Sequence, residues 1–118
     1  MIKSYSDLEV YKLSYKLAME IFNLSKDFPA SEKYSLTDQV VRSTRSVSAN
    51  IAEGYGRRMY TQDFKKFLIY SAASLEETKV WLNFSKDCNY ITVEQFDSVY
   101  RLADEIGAKI HRLYTAWK

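Results

Sequence analysis

Apolar residues recur at spacings of three and four along almost the whole chain, and the pattern breaks only three times. That period belongs to the amphipathic helix, and no segment alternates with the period of two that a half-buried strand requires. The chain has 118 residues with one proline and three glycines. So few turn-forming residues argue against a sandwich or barrel built from many short strands. The length suits one domain and not two, so residues 1–118 are read as a single four-helix domain.

The first helical segment runs from about Asp7 to Asp27. Ser6 and Glu9 have the spacing of a capping box, in which hydroxyl and carboxylate satisfy the first-turn amides reciprocally. Val10, Ser14, Leu17, Ile21, Leu24 and Phe28 form its seam, and Tyr11, Tyr15, Ala18 and Phe22 widen it. Phe28-Pro29 closes the segment, because the residue before proline avoids the α region. The second runs from about Glu32 to Glu53, with Ser31 placed to cap it. Its seam is Leu36, Val40, Ser43, Val47, Asn50 and Gly54, and its many small residues predict close helix packing. Gly54-Tyr55-Gly56 offers a left-handed cap at its end.

The third segment starts near Thr61 and ends near Asn89. Phe64, Leu68, Ser71, Leu75, Thr78, Leu82 and Ser85 form one seam. Phe67, Tyr70, Ser74, Trp81, Phe84 and Cys88 form a second, leaving Lys65, Ala72, Glu76, Lys79, Asn83 and Lys86 as the solvated face. A helix this apolar needs partners on two sides. The fourth opens with the capping-box pair Thr92 and Gln95 and runs to the end on Phe96, Val99, Ala103, Ile106, Ile110, Leu113 and Trp117. Short connections between long helices predict an all-α, antiparallel up-down-up-down four-helix bundle.

Chemistry-bearing residues are few. One cysteine, Cys88, excludes an internal disulfide and a cysteine-built zinc site, and one histidine, His111, cannot supply the paired Glu-x-x-His motifs of a di-iron bundle. Gly54-Tyr55-Gly56-Arg57 lacks the lysine-hydroxyl pair of a phosphate-binding loop and the dinucleotide spacing. His111, beside Gly107 and Tyr114, reads as a packed or flank-exposed imidazole, and Cys88 as a buried or half-buried structural thiol. No catalytic residue, metal or cofactor is expected. Glu77 falls on the aromatic stripe of the third segment, where Arg42, Arg45 or Arg57 would pair with it. Asn50 sits in the seam of the second, where an amide fixes register. No apolar run reaches membrane-spanning length and the N-terminus lacks a signal-peptide core. A soluble, cytoplasmic protein is the expectation.

Charge is unevenly placed. The chain as a whole carries +2. Between Arg42 and Lys66 stand six basic residues (Arg42, Arg45, Arg57, Arg58, Lys65, Lys66) and two acids (Glu53, Asp63), a net +4 that leaves −2 for the remainder. With Tyr55 and Tyr60 interleaved, this stretch has the forks, ammonium groups and stackable rings of a phosphate-and-base surface. A solvated loop is the competing interpretation.

The run Gln39-Val40-Val41-Arg42-Ser43-Thr44-Arg45-Ser46-Val47-Ser48-Ala49-Asn50-Ile51-Ala52-Glu53-Gly54-Tyr55-Gly56-Arg57 resembles the four helix bundle protein family, also called the 23S rRNA intervening-sequence protein family. Asp7-Leu8-Glu9-Val10-Tyr11-Lys12, Phe67-Leu68 and Ser74-Leu75-Glu76-Glu77 extend the likeness over essentially the whole chain. Ser48, Ala73, Thr78 and Trp81 depart from the usual residues, which alters local packing and not the fold. The resemblance implies a ring-like homopentamer. It also implies kinship with the accessory protein of diversity-generating retroelements, which works with a reverse transcriptase and nucleic acid. It carries over no catalytic residue, and Asn50, Glu53, Gly54 and Glu77 are expected to be structural. Tyr15, Phe22, Tyr70, Trp81 and Tyr100 are the candidate ring contacts. The expected function is a non-enzymatic RNA- or DNA-binding adaptor with no membrane partner. The alternative is a protein-protein scaffold ring that never touches nucleic acid.

Overall fold

Four helices form over the four periodic segments: α1 (Glu9–Ser25), α2 (Leu36–Tyr55), α3 (Thr61–Asp87) and α4 (Val93–Ala116). The structure, a computed structural model, describes all of residues 1–118 and contains no strand. At 1.5 Å per residue, α3 is about 40 Å long, which accounts for the 44 Å long axis of the molecule. α2 packs against α1 and α3, and α4 packs against the same two helices. Each helix thus has two neighbours, and the four apolar seams meet in one continuous core.

The seam of α3 is buried at all of its predicted positions, from Phe64 to Ser85. Several of these residues are hydroxylic, and their polar groups are satisfied across the helix interface. Thr78 Oγ1 donates to Ser43 Oγ at 2.9 Å, and Ser71 Oγ donates to the Val47 carbonyl at 2.8 Å. The Ser46 and Ser74 hydroxyls meet at 2.9 Å. On the other flank of α2, Ser14 and Ser48 meet at the same distance. Small residues therefore let α2 lie close to both neighbours, as its composition predicts. Gly54 marks the closest approach: a Cβ there would stand 2.6 Å from Phe67 Cβ.

The ends of the helices depart from the sequence expectations. Ser4 and Asp7 make the capping box, on a 3-10 turn over Tyr5–Asp7, and α1 begins only at Glu9. Asp7 accepts from the amides of Lys3 and Ser4, so the serine two residues earlier than expected does the capping. A second 3-10 turn, Ala30–Glu32, delays α2 to Leu36. Ser31 caps nothing; Glu32 Oε1 instead accepts from the Leu36 amide at 3.3 Å. The Thr92–Gln95 box forms as expected. Gly54 and Gly56 keep right-handed backbone, because the chain continues from α2 through successive tight turns into α3. The left-handed residue is Asn89, at φ 64°, in the α3–α4 connection.

The two outer faces of α3 also differ from the expected pattern. Lys65, Lys79 and Lys86 lie half-buried against α4, their ammonium groups over Tyr114, Tyr100 and Phe96 at 5.0, 5.5 and 4.2 Å. Long lysine stems can cover apolar surface while the charge reaches a partner, here Asp104, 2.8 Å from Lys79 Nζ. Burial opposes the charge on Lys79, and its bonds to Asp104 and Glu76 outweigh that, so its pKa is raised. The aromatic stripe expected to be covered is covered only in part: Phe67, Ser74 and Trp81 are half-buried, whereas Tyr70 at 47% and Phe84 at 53% are exposed. Cys88 shares that exposure and is not a packed thiol.

Glu32 also ties the two connections at one end of the bundle together. Its carboxylate accepts from Ser35 Oγ and from Tyr90 Oη, at 2.5 and 2.8 Å. Tyr90 in turn packs on Phe28, ring centroids 5.4 Å apart. The Ser35 hydroxyl, then Tyr90 and the Leu36 amide, hold the carboxyl below its ordinary value of 4.5. A carboxylate with a lowered folded pKa stabilises the fold above its unfolded pKa, and that contribution is lost as pH falls through the folded value. Glu32→Gln should therefore lower stability at neutral pH and flatten its decline below about pH 5. Urea unfolding at pH 7 and pH 3 checks this; an unchanged acid decline would remove Glu32 from the clamp.

Candidate nucleic-acid interface

The basic segment folds into the α2–α3 connection and the flanking helix turns. Its backbone leaves α2 through tight turns: the Arg57 amide donates to the Gly54 carbonyl at 2.9 Å, Arg58 to Tyr55 at 3.1 Å, and Tyr60 to Arg57 at 2.9 Å. Phe64, fully buried, anchors the start of α3 beneath this turn, edge-on to Tyr55 and to Trp117. The turn is thus braced from below by the C-terminal end of α4.

Four of the predicted cations, Arg57, Arg58, Lys65 and Lys66, lie on this turn and the first two turns of α3. Arg58 folds back over the C-terminus of α2. Its Nη1 donates to the Tyr55 carbonyl at 3.0 Å, and its guanidinium lies 4.3 Å from the Tyr55 ring. This satisfies a terminal carbonyl of the helix and places a positive charge at its negative end. Arg57 lies over the Phe67 ring and 3.7 Å from Asp63. Both members of that pair are about half exposed, so solvent screens it and leaves the guanidinium open to a competing anion. Lys65 is drawn towards Tyr114. Lys66 is exposed and, about 100° further round α3, points away from Lys65, with no ion pair of its own.

Arg42 and Arg45 do not join this group. They sit on the outer face of α2, and Arg45 is about 18 Å of helix rise from Arg57. Arg42 pairs with Asp38 at 3.7 Å, and Arg45 lies over Phe22. Of the two interleaved tyrosines, Tyr60 is 69% exposed and free to stack. Tyr55 is buried at 7%, its ring held between Phe64 and Arg58, so it offers no stacking face. Burial on the core side of α2 wins over its place in the basic run.

The residues assigned structural roles are also placed. Glu77 is exposed, and it accepts from Trp81 Nε1 at 3.0 Å and pairs with none of Arg42, Arg45 and Arg57. Asn50 is half-buried and bonds the Ser46 carbonyl and hydroxyl of its own helix. It reaches α3 only through the Ser46–Ser74 contact. Glu53 is exposed on α2 and makes no ion pair, whereas Gly54 sits at the α2–α3 crossing.

The outer seam between α1 and α2 holds Tyr15, a candidate ring contact, together with Arg45, a candidate phosphate contact. There Tyr5, Tyr11 and Tyr15 surround a cavity over Ala49 and Ala52. The spacing of Tyr11 and Tyr15 read as a widening of the core stripe. Their separation from the buried seam by one helix flank was the signal for a surface cradle. His111 is exposed at the edge of α4. No three His, Cys, Asp or Glu side chains converge in a way that could hold a metal ion. No helix is long and apolar enough to cross a membrane.

Fold and site together define an all-α four-helix bundle protein with a basic inter-helix turn. The chain belongs to the 23S rRNA-intervening sequence protein family, whose sequence model matches residues 6–112. Among solved structures it is similar to a crystal structure from Bacteroides thetaiotaomicron, described as a protein with unknown function from the S23 ribosomal protein family. The two are 29% identical with a TM-score of 0.80, over 89% of this chain and 97% of the other. No curated protein matches this chain.

Proposed function

We propose that this chain is a non-enzymatic nucleic-acid-binding adaptor, built as an antiparallel up-down-up-down bundle and assembled into a ring-like oligomer, most simply a pentamer. The basic turn carries the reading. Arg57, Arg58, Lys66 and Tyr60 are exposed together at one end of the molecule, supplying phosphate contacts and a ring for stacking. The register of the packed helices supports the antiparallel topology: Ser43 meets Thr78, Val47 meets Ser71 and Gly54 meets Phe67, while Glu9 meets Lys109. The exposed aromatic stripe on α3 supports assembly, since closing a ring covers two such faces on every subunit.

Binding of single-stranded RNA or DNA should weaken linearly with the logarithm of salt concentration. Removing one cation that meets a phosphate lowers that slope by about 0.7 for single strands. The double variant Arg57→Ala, Arg58→Ala should reduce it by up to about 1.4, with light scattering confirming an intact assembly. An unchanged slope removes the turn from the interface, and a monomer at micromolar concentration removes the ring.

A second reading uses the same stripe differently. Tyr70 and Phe84 would then face a partner protein, such as a reverse transcriptase, on a scaffold ring that does not touch nucleic acid. Capture of that partner after nuclease treatment, with no intrinsic nucleic-acid binding, selects this reading.

A further inference from the structure

The outer seam between α1 and α2 contains a cavity of about 500 Å³, within the range of small-molecule sites. Its wall on the α1 side is aromatic. Tyr5 packs edge-on to Tyr11 at 4.9 Å, and the Tyr11 and Tyr15 rings follow at 6.2 Å. Tyr15 remains 54% exposed, and the cradle takes Tyr15 and Phe22 out of the candidate ring contacts, which then fall to the α3 stripe. Its floor is Ala49 and Ala52, whose short side chains leave the space open. At the far end Arg45 lines the cavity, and both Arg45 and Lys26 lie over the Phe22 ring at 5.5 and 4.9 Å. Neither cation forms a salt bridge, and Arg45 is the one that lines the cavity, beside the tyrosine rings.

A flat π-face for the tyrosines and an anion for the guanidinium describe one ligand chemistry. We infer that this cradle takes a single unpaired nucleotide, its base stacked on Tyr15 and Tyr11 and its phosphate on Arg45. A purely apolar helix face laid in the cavity would leave Arg45 without an anion, so charge favours the nucleotide. Ala52 lies three residues, about 4.5 Å of helix rise, before the end of α2 at Tyr55, so the cradle adjoins the same helix end from which the basic turn departs. For a strand the inference rests on the proposed nucleic-acid reading; a free nucleotide would satisfy the same chemistry without it.

The test uses the full chain, a short single-stranded oligonucleotide carrying one iodouridine, and adenosine monophosphate. Irradiation should cross-link the oligonucleotide to Tyr11 or Tyr15, read by peptide mass spectrometry. Tyr15→Ala should weaken oligonucleotide binding about tenfold, the worth of one base–aromatic stack, with the helical circular dichroism unchanged. Arg45→Ala should weaken it further. Cross-links confined to the α2–α3 turn, with wild-type affinity in both variants, would overturn the cradle and leave the nucleic-acid reading standing. Monophosphate binding that Tyr15→Ala removes, without strand binding, would keep the cradle and overturn that reading. Binding of neither probe overturns both.

Discussion

Phe64→Ala is expected to remove about 3–5 kcal/mol of folding stability, the range for truncating a fully buried phenylalanine. The ring is 0% exposed and holds three things together at once. It stands edge-on to Tyr55 at 6.2 Å, edge-on to Trp117 at 4.7 Å, and under Gly54 at the α2–α3 crossing. Truncation would strip both aromatic neighbours of their packing and leave a cavity beneath the basic turn. The neighbouring groups come from α2 and from the C-terminal end of α4, so no single side-chain rotation can fill that space. The loss should also reach the surface, because Tyr55 is the ring on which Arg58 rests. Urea unfolding at one fixed protein concentration measures the cost, since any assembly makes stability concentration-dependent. A loss below about 1 kcal/mol, the level of an ordinary substitution, would mean that this end of the bundle is organised by something else.

The interior was legible in the sequence because it depends on periodicity. Every seam position of α3 is buried, and Val99, Ala103, Ile106 and Ile110 follow for α4. Helix starts were less legible because they depend on competition between neighbouring caps. Ser4 with Asp7 and Ser6 with Glu9 have the same spacing, and only the conformation of the chain decides between them. Ser31 yields to Glu32 for a related reason: the 3-10 turn after Pro29 carries the carboxylate round to the first amide of α2.

The outer faces were the least legible, since burial there is set by which helix lies alongside. The lysines at 65, 79 and 86 have the composition of a wet face, yet α4 offers them aromatic rings and Asp104. Phe84 and Tyr70 have the composition of a covered face, and neighbours on α3 itself leave each about half exposed. The basic segment shows the same limit. Linear sequence gathers six cations, but α2 is a rod, so Arg42 and Arg45 are carried away from Arg57 while Arg58, still exposed, folds back to cap α2. What the sequence could not display is that Arg45 would meet Tyr15 and Ala52 across a seam built by two helices.

Gly54→Ala should destabilise the protein and Gly56→Ala should not, although the two glycines are two residues apart. In an exposed helix interior, alanine is favoured over glycine by about 1 kcal/mol, so propensity alone would predict a gain at position 54. Packing reverses the sign. The added Cβ would meet Phe67 Cβ at 2.6 Å and Phe64 Cδ1 at 3.2 Å, far inside the usual 3.5–4.0 Å carbon contact. A Phe67 rotamer change cannot relieve this, because Cβ is fixed by the backbone of α3. The helix itself must move by about an ångström, which lengthens the neighbouring Ser71–Val47 and Thr78–Ser43 hydrogen bonds. Overpacking of this kind costs about 1–3 kcal/mol; the propensity gain offsets part of it and the strained hydrogen bonds add to it. At Gly56 a Cβ would meet only backbone carbonyls at 3.4 and 3.8 Å, and φ is −62°. Alanine fits there and should stabilise by about 0.4–1 kcal/mol through the unfolded chain. Paired unfolding curves separate the two effects, and equal shifts of one sign would mean that the α2–α3 crossing yields at Gly54. Moving α3 at this crossing also displaces Lys65 and Lys66 relative to Arg57 and Arg58, so Gly54→Ala should weaken any ligand that spans the turn while Gly56→Ala leaves it bound.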